Sequence, residues 1–211
     1  RRSSDLNAAA RSVIFNLPEN SLNYFYNLAK GIDVSTIMLA IHQQPDLWNN
    51  YRARKDIDGG PHSGMDDIWL RYNPAYLDGE RDLNVLNGPH FSEWFPAWYR
   101  LPQLRPLIYN LMRSVEGDRL GGILITRIPP GSKIDPHIDK SWHVDEYQKY
   151  YISLEACHGA RFYCGDEYIE PDVGDCWFFD NRQEHWVENK GTGNRTTLIV
   201  CIKSDRSTPR G

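Results

Sequence analysis

The sequence lacks several features that would assign a chain to a class at once. It has no run of about 20 apolar residues, the length that a membrane-spanning helix needs. Its N-terminal residues contain no apolar stretch of the kind found in secretory signal peptides. It has no basic block either, since 24 Lys and Arg stand against 28 Asp and Glu for a net charge of −4. Because phosphate binding normally needs a clustered positive surface, we expect no nucleic acid as the main partner.

Cysteine is scarce and is not arranged for a structural metal. The four cysteines, Cys157, Cys164, Cys176 and Cys201, contain no CxxC pair, so a structural zinc site is not indicated. Three of them lie in apolar, strand-like runs, where a free cysteine acts as a small hydrophobic side chain. The simplest interpretation is a reducing, cytoplasmic setting, with disulfides as the open alternative.

No repeat, low-complexity tract or linker divides the chain, so we predict one domain over residues 1–211. Residues 1–120 form its helical and irregular part, with helices predicted at 21–29, 34–42 and 102–116 and a strand at 68–72.

Residues 121–204 instead show a β pattern, in which short apolar and aromatic runs alternate with turn signals rich in Gly, Pro, Asn and Asp. The predicted strands are 123–128, 133–139, 147–155, 161–164, 167–170, 176–179, 184–188 and 196–203. Short strands at this spacing favour a double-sheet jelly roll over an α/β sheet. The predicted fold is therefore mainly β, a double-stranded β-helix of cupin-like type with the N-terminal helices packed on one sheet.

The most informative motif is His137 and Asp139, followed by His185 and by Arg195 ten residues later. Two imidazoles and one carboxylate are the set that holds a non-haem Fe(II) on one face, with the opposite positions open. On one extended strand, residues two apart point to the same side, so we expect His137 and Asp139 to share a face. Arg195 is suited to gripping a carboxylate with two parallel hydrogen bonds. The alternatives are a surface carboxylate at Asp139 and an ordinary exposed arginine at Arg195.

Residues 126–203 resemble the core of the Fe(II)/2-oxoglutarate-dependent oxygenases, and more narrowly the aspartyl/asparaginyl β-hydroxylase branch. The match rests on the Ile128-Pro129-Pro130-Gly131 turn, the Pro136-His137 pair, the segment 174–180 followed by Glu184-His185, and Arg195.

The resemblance implies that His137 and His185 are iron ligands and that Arg195 binds the distal carboxylate of 2-oxoglutarate. It further implies cosubstrate contacts for Lys149, Thr126 and Trp69, of which Lys149 could instead be a solvated strand residue. The peptide hydroxylases of this branch lack a carboxylate two residues after the first histidine, so Asp139 restores the pattern of the wider superfamily.

We therefore expect an oxygenase that uses Fe(II), O2 and 2-oxoglutarate to hydroxylate an aliphatic carbon. The substrate would be an amino-acid-like small molecule or a peptidyl Asp- or Asn-type side chain. Two alternatives stay open: a cupin-type metal enzyme that does not use 2-oxoglutarate, and a non-catalytic jelly-roll binding module. We assign no role to the other histidines, His42, His62, His90, His143 and His158.

Overall fold

The computed structural model describes residues 22–56 and 60–204, which form two antiparallel sheets and five α-helices. The strands are β1 (Phe25–Ala29), β2 (Asp66–Tyr72), β3 (Glu93–Trp94), β4 (Gly117–Ile128), β5 (Lys133–His137), β6 (Gln148–Glu155), β7 (Ala160–Cys164), β8 (Glu167–Ile169), β9 (Cys176–Phe179), β10 (His185–Asn189) and β11 (Arg195–Ser204). The helices are α1 (Ser35–His42), α2 (Leu83–Leu86), α3 (Pro96–Arg100), α4 (Leu104–Ser114) and α5 (Trp142–Glu146). Among these residues, no helix combines the length and the apolar character that crossing a bilayer requires.

The two sheets form the expected jelly roll. The major sheet has seven strands in the order β1-β9-β6-β11-β4-β2-β3, and the minor sheet has four in the order β5-β10-β7-β8. Strands that are far apart in sequence alternate within each sheet, which is typical of Greek-key connections. The predicted mainly β fold is confirmed.

The helical part covers the outer face of the major sheet, as predicted. Helix α4 places Leu104, Leu107, Ile108 and Leu111 on one buried stripe, the spacing that brings side chains to one side of a helix. This stripe and the buried residues of α1 join one apolar cluster with the outward-facing residues of β2, β4, β6 and β11. The opposite face of the major sheet lines the interior between the major and the minor sheet.

The helix predicted at 21–29 is wrong over the residues that the structure describes. Residues 25–29 form β1, an edge strand that pairs with β9 so that Phe25 faces Phe179. Phe25 is fully buried against Phe162 and Phe179. Aromatic residues suit a pleated surface with a pairing partner, and that tertiary partner outweighs a short helical pattern.

The predicted strand 133–139 also ends early. Strand β5 stops at His137, so Asp139 lies beyond the strand, and the same-face argument does not apply to it. Residues 138–140 are irregular and lead into α5. The proximity of His137 and Asp139 therefore comes from the irregular segment that follows β5.

Candidate active site

A cavity of about 320 Å³ lies between the inner faces of the two sheets. The major sheet contributes side chains from neighbouring strands, and the minor sheet contributes the histidine-bearing ends of β5 and β10. The lining includes every residue that the sequence singled out: Trp69, Thr126, His137, Asp139, Lys149, His185 and Arg195. The fold thus brings together residues spread over 127 positions of sequence, from 69 to 195.

His137, Asp139 and His185 form a compact cluster at one wall of this cavity. The register of β5 and β10 places the two histidines opposite each other, with ring centroids 4.3 Å apart. The Asp139 carboxylate lies 3.8 Å from His137 Nε2 through Oδ1 and 3.9 Å from His185 Nε2 through Oδ2. All three donor atoms lie within 4.8 Å of one another, so the group could hold a metal ion.

The hydrogen bonds of the two histidines are made by Nδ1, so Nε2 of each ring is left toward the cluster. His137 Nδ1 lies 2.8 Å from the Asp135 carbonyl oxygen, and His185 Nδ1 lies 2.9 Å from that of Gln183. A carbonyl only accepts, so each Nδ1 carries the proton and each Nε2 keeps a lone pair toward the cluster. Burial lowers the pKa of His185 to about 4, which keeps the ring neutral near pH 7.

The Asp139 carboxylate is held from its other side. Lys149 Nζ donates to Oδ2 in a close ion pair, and Asn181 Nδ2 donates to the same oxygen over 3.1 Å. Burial alone would raise the pKa of Asp139, but the Lys149 charge and these hydrogen bonds outweigh it and hold that pKa well below its usual value. Oδ1 keeps its lone pairs toward His137.

Arg195 is buried without a counter-ion. It is 5% exposed, and its guanidinium lies 5.5 Å from the centre of the Phe162 ring. The described part of the chain offers it no carboxylate and no hydrogen-bond acceptor. Burial lowers its pKa to about 10, so it remains a cation near neutral pH. A buried, unpaired cation that borders a cavity is costly unless an anion enters.

The two threonines of the cavity differ in their hydrogen bonds. Thr126 on β4 and Thr197 on β11 are paired in register. The Thr126 hydroxyl donates to Asp67 Oδ1 over 3.1 Å, and a hydroxyl has a single proton to give. The Thr197 hydroxyl is buried and has no partner within the described residues. Thr197 is therefore the hydroxyl available to a bound molecule.

Trp69 closes the cavity at the β2 side. Its indole Nε1 is buried with no acceptor among residues 22–56 and 60–204, and the Arg54 guanidinium lies 5.3 Å from its ring centre. An orphaned indole donor and an orphaned hydroxyl in one cavity indicate a ligand rich in oxygen acceptors.

Sequence reasoning missed three cavity groups, Arg54, His62 and His143, and one residue outside the cavity lining, Asn181, which donates to Asp139. Arg54 and His62 lie in irregular segments, where no periodicity predicts which side chains point inward. His143, left without a role as part of a polar loop, is buried in α5, where its Nε2 accepts the Gly122 N–H over 3.2 Å. Asn181 donates to Asp139, and nothing in its position in the sequence indicates that contact.

Comparison with known proteins agrees with this geometry. The family model described as Aspartyl/Asparaginyl beta-hydroxylase matches residues 93–204, just over half of the chain. No curated protein matches the sequence.

Among solved structures, a prolyl hydroxylase from Trichoplax adhaerens, in complex with a peptide fragment of the hypoxia inducible factor oxygen degradation domain, aligns with a TM-score of 0.59. That alignment has 12% identity and covers 87% of this chain and 84% of the other. An oxidoreductase of the 2OG-Fe(II) oxygenase family from Burkholderia pseudomallei aligns with a TM-score of 0.49 at 14% identity, covering 66% of this chain and 67% of that one. At such identities the likeness concerns the fold.

Proposed function

Because the chain belongs to the aspartyl/asparaginyl β-hydroxylase family of oxygenases, we propose that it is an Fe(II)- and 2-oxoglutarate-dependent hydroxylase. Its substrate carbon would be an aliphatic one in an amino-acid-like small molecule or in a peptidyl Asp- or Asn-type side chain. We place the protein in a reducing, cytoplasmic setting, which the free state of all four cysteines supports.

The donor set at the cavity wall fits iron. Two imidazole nitrogens and one carboxylate oxygen at one wall of the cavity match the 2-His-1-carboxylate arrangement of non-haem Fe(II) oxygenases. His137, Asp139 and His185 would hold the metal. When bound, Fe(II) supplies the oxidative chemistry in which O2 and 2-oxoglutarate become succinate and CO2, and one oxygen atom enters a substrate C–H bond as a hydroxyl group.

The rest of the cavity positions the cosubstrate. Arg195 would bind the distal carboxylate of 2-oxoglutarate, with the Thr197 hydroxyl as a second donor. Lys149, tied to Asp139, has further N–H groups for the opposite end of the cosubstrate. Trp69 and Thr126 form part of the pocket wall.

The observation that carries the proposal is the unpaired Arg195 facing the same cavity as the three candidate ligands. A cupin-type enzyme that does not use 2-oxoglutarate has no need for that buried cation. A non-catalytic binding module has no need for an intact set of three ligands.

The test is anaerobic addition of Fe(II) and 2-oxoglutarate, followed by visible absorption and by the thermal melting temperature. We expect a weak metal-to-ligand band and a stabilised protein. Arg195→Met should weaken 2-oxoglutarate binding about 10- to 100-fold, because hydrogen bonds to charged groups contribute about 1.5 to 3 kcal/mol.

Arg161→Met is the matched control, since Arg161 is paired with Glu170 and lies outside the cavity. It should bind 2-oxoglutarate like the unaltered protein. A well-folded protein with neither band nor thermal shift would rule out this function and favour one of the two alternatives.

A further inference from the structure

A second guanidinium, that of Arg54, lines the same cavity as Arg195 and is rigidly held. Its Nε donates to Asp67 Oδ2 over 2.7 Å, and its Nη2 donates to Asp67 Oδ1 over 2.6 Å. Nη2 also donates to the Thr126 hydroxyl over 3.1 Å, and the Trp69 ring lies against the guanidinium plane. These contacts fix the orientation of Arg54 before any ligand arrives.

One edge of the Arg54 guanidinium makes no hydrogen bond within the described residues. The contacts with Asp67 and Thr126 use the Nε and Nη2 donors, whereas Nη1, with two N–H groups, meets no acceptor in the described ranges 22–56 and 60–204. The side chain is 19% exposed, and it borders the cavity. A pre-oriented pair of N–H groups on a side chain that borders a cavity is suited to an oxygen acceptor, above all to a carboxylate.

His62 lines the same cavity as Arg54 and packs against a candidate metal ligand. Its ring is packed edge-on against His137, with centroids 5.0 Å apart. Its Nδ1 is buried and has no hydrogen-bond partner among the residues that the structure describes. A molecule that contacts the His62 ring would therefore lie next to His137.

In the proposed function, 2-oxoglutarate does not need Arg54 or His62. In the proposed function, one carboxylate of 2-oxoglutarate meets Arg195 and the keto-acid end meets the metal, so no third anionic group remains for Arg54. Among the ionised side chains that line the cavity, four are cationic and only Asp139 is acidic. The four cations are Arg54, Lys140, Lys149 and Arg195. Asp139 and Asp67 neutralise two of them, so the loaded cavity still favours a ligand that brings a negative charge.

We propose that Arg54, with His62 beside it, forms a second carboxylate-binding subsite that takes a carboxylate of the substrate. This inference rests on the proposed function and narrows it to substrates with a free carboxylate close to the carbon that is hydroxylated. Arg54 is a specificity-determining residue in this arrangement, because an amide in place of the carboxylate would present an N–H group to N–H donors.

The experiment uses the protein loaded with Mn(II) and saturating 2-oxoglutarate, so that binding is measured without turnover. The probes are the standard L-amino acids and their α-amides, with L-asparagine and L-glutamine as the side-chain amides of L-aspartate and L-glutamate, added one at a time, and the readout is the melting temperature. We expect at least one free acid to raise it and the corresponding amide to have no effect.

Two variants separate a binding role from a structural one. Arg54→Lys keeps a cation for Asp67 but loses the planar fork. The pair of changes Arg54→Met and Asp67→Asn removes both charges, so no buried ion is left alone. Both variants should bind the free acid at least about tenfold more weakly, with 2-oxoglutarate binding and its visible Fe(II) band retained. Arg52→Met is the control, since Arg52 is exposed, pairs with Asp56 and should behave like the unaltered protein.

The other outcomes overturn the proposal. If the Arg54 variants lose 2-oxoglutarate binding, the subsite belongs to the cosubstrate. If folded variants bind both molecules normally, the Arg54–Asp67 pair is structural only. If no acid binds better than its amide, the Arg54 subsite does not select for a carboxylate. The proposed function still stands in that case, provided that the Fe(II)–2-oxoglutarate band is present.

Discussion

At the residue scale, Asp139 shows how one side chain can serve two sets of contacts. Its Oδ2 accepts from Lys149 and Asn181, which leaves Oδ1 toward His137. A carboxylate held by one oxygen is oriented as a ligand through the other, and partners of this kind support metal affinity. The roles of His137, Asp139 and His185 as iron ligands remain predictions that this geometry supports.

Replacing Asn181 with alanine tests that orientation. The variant removes one hydrogen bond to Oδ2 and leaves the Lys149 charge in place, so we expect about 10-fold weaker Fe(II) binding and a loss of stability of about 1 to 3 kcal/mol. Anaerobic calorimetric titration with Fe(II) measures it.

Asn50→Ala is the matched control, because Asn50 is exposed and donates only to the backbone carbonyls of Asp46 and Leu47. Equal metal affinity in the two variants would mean that Lys149 alone holds the carboxylate.

At the element scale, the connection after β1 depends on a close backbone contact. Gly174 precedes β9, accepts the Ile32 N–H over 3.0 Å and donates to the Ser153 carbonyl over 2.8 Å. Its φ is +82°, and an added Cβ would lie 2.3 Å from the Ile32 carbonyl oxygen. The turn before β9 therefore joins the β1–α1 connection to the end of β6 only if residue 174 has no side chain.

Gly174→Ala should accordingly be strongly destabilising. The left-handed backbone costs about 1 to 2 kcal/mol for a residue with a Cβ, and relief of the clash with Ile32 adds to it, so we expect a total loss above about 3 kcal/mol. Urea unfolding measures the difference.

Gly131→Ala is the control, since φ there is +74° and the added Cβ would meet nothing within 4 Å. Gly131→Ala should lose only the free energy that a left-handed backbone costs, about 1 to 2 kcal/mol. If both variants lost the same free energy, the contact with Ile32 would be unimportant.

At the scale of the whole molecule, the two faces of the major sheet have different roles. Its outer face is covered by α1 and α4, and its inner face lines a cavity in which burial lowers the pKa of His143 and of His185. The prediction of a single domain over residues 1–211 remains a prediction, supported by β1 and β2 lying in the same sheet as the jelly-roll strands. When buried histidines stay neutral in the folded chain, the free energy of unfolding decreases as the pH falls.

His143 provides a pH test of this dependence. Burial lowers its pKa from 6.5 to about 3, so the unfolded chain binds a proton that the folded chain rejects. Stability should therefore fall as the pH drops below about 6.5, by up to about 1.4 kcal/mol per unit from this residue.

His143→Gln, whose side-chain oxygen can still accept the Gly122 N–H, should lose about 2 kcal/mol less than the unaltered protein between about pH 7 and pH 5. Urea unfolding at several pH values measures this, with His158→Gln as an exposed control. Parallel curves for all three proteins would show that protonation of His143 is not coupled to folding.

The sequence by itself determined the β pattern after residue 121, the α4 stripe and the spacing of His137, His185 and Arg195, because local periodicity and residue type carry that information. Only the tertiary structure decided that residues 25–29 form a strand, since the pairing partner β9 lies about 150 residues away in sequence. It also decided which hydroxyl is free, Thr197 rather than Thr126. It placed Arg54 and His143 in the cavity and Asn181 against Asp139. Which side chains of irregular segments point inward, and which donors are already bonded, depends on contacts between distant parts of the chain, and local sequence does not encode those contacts.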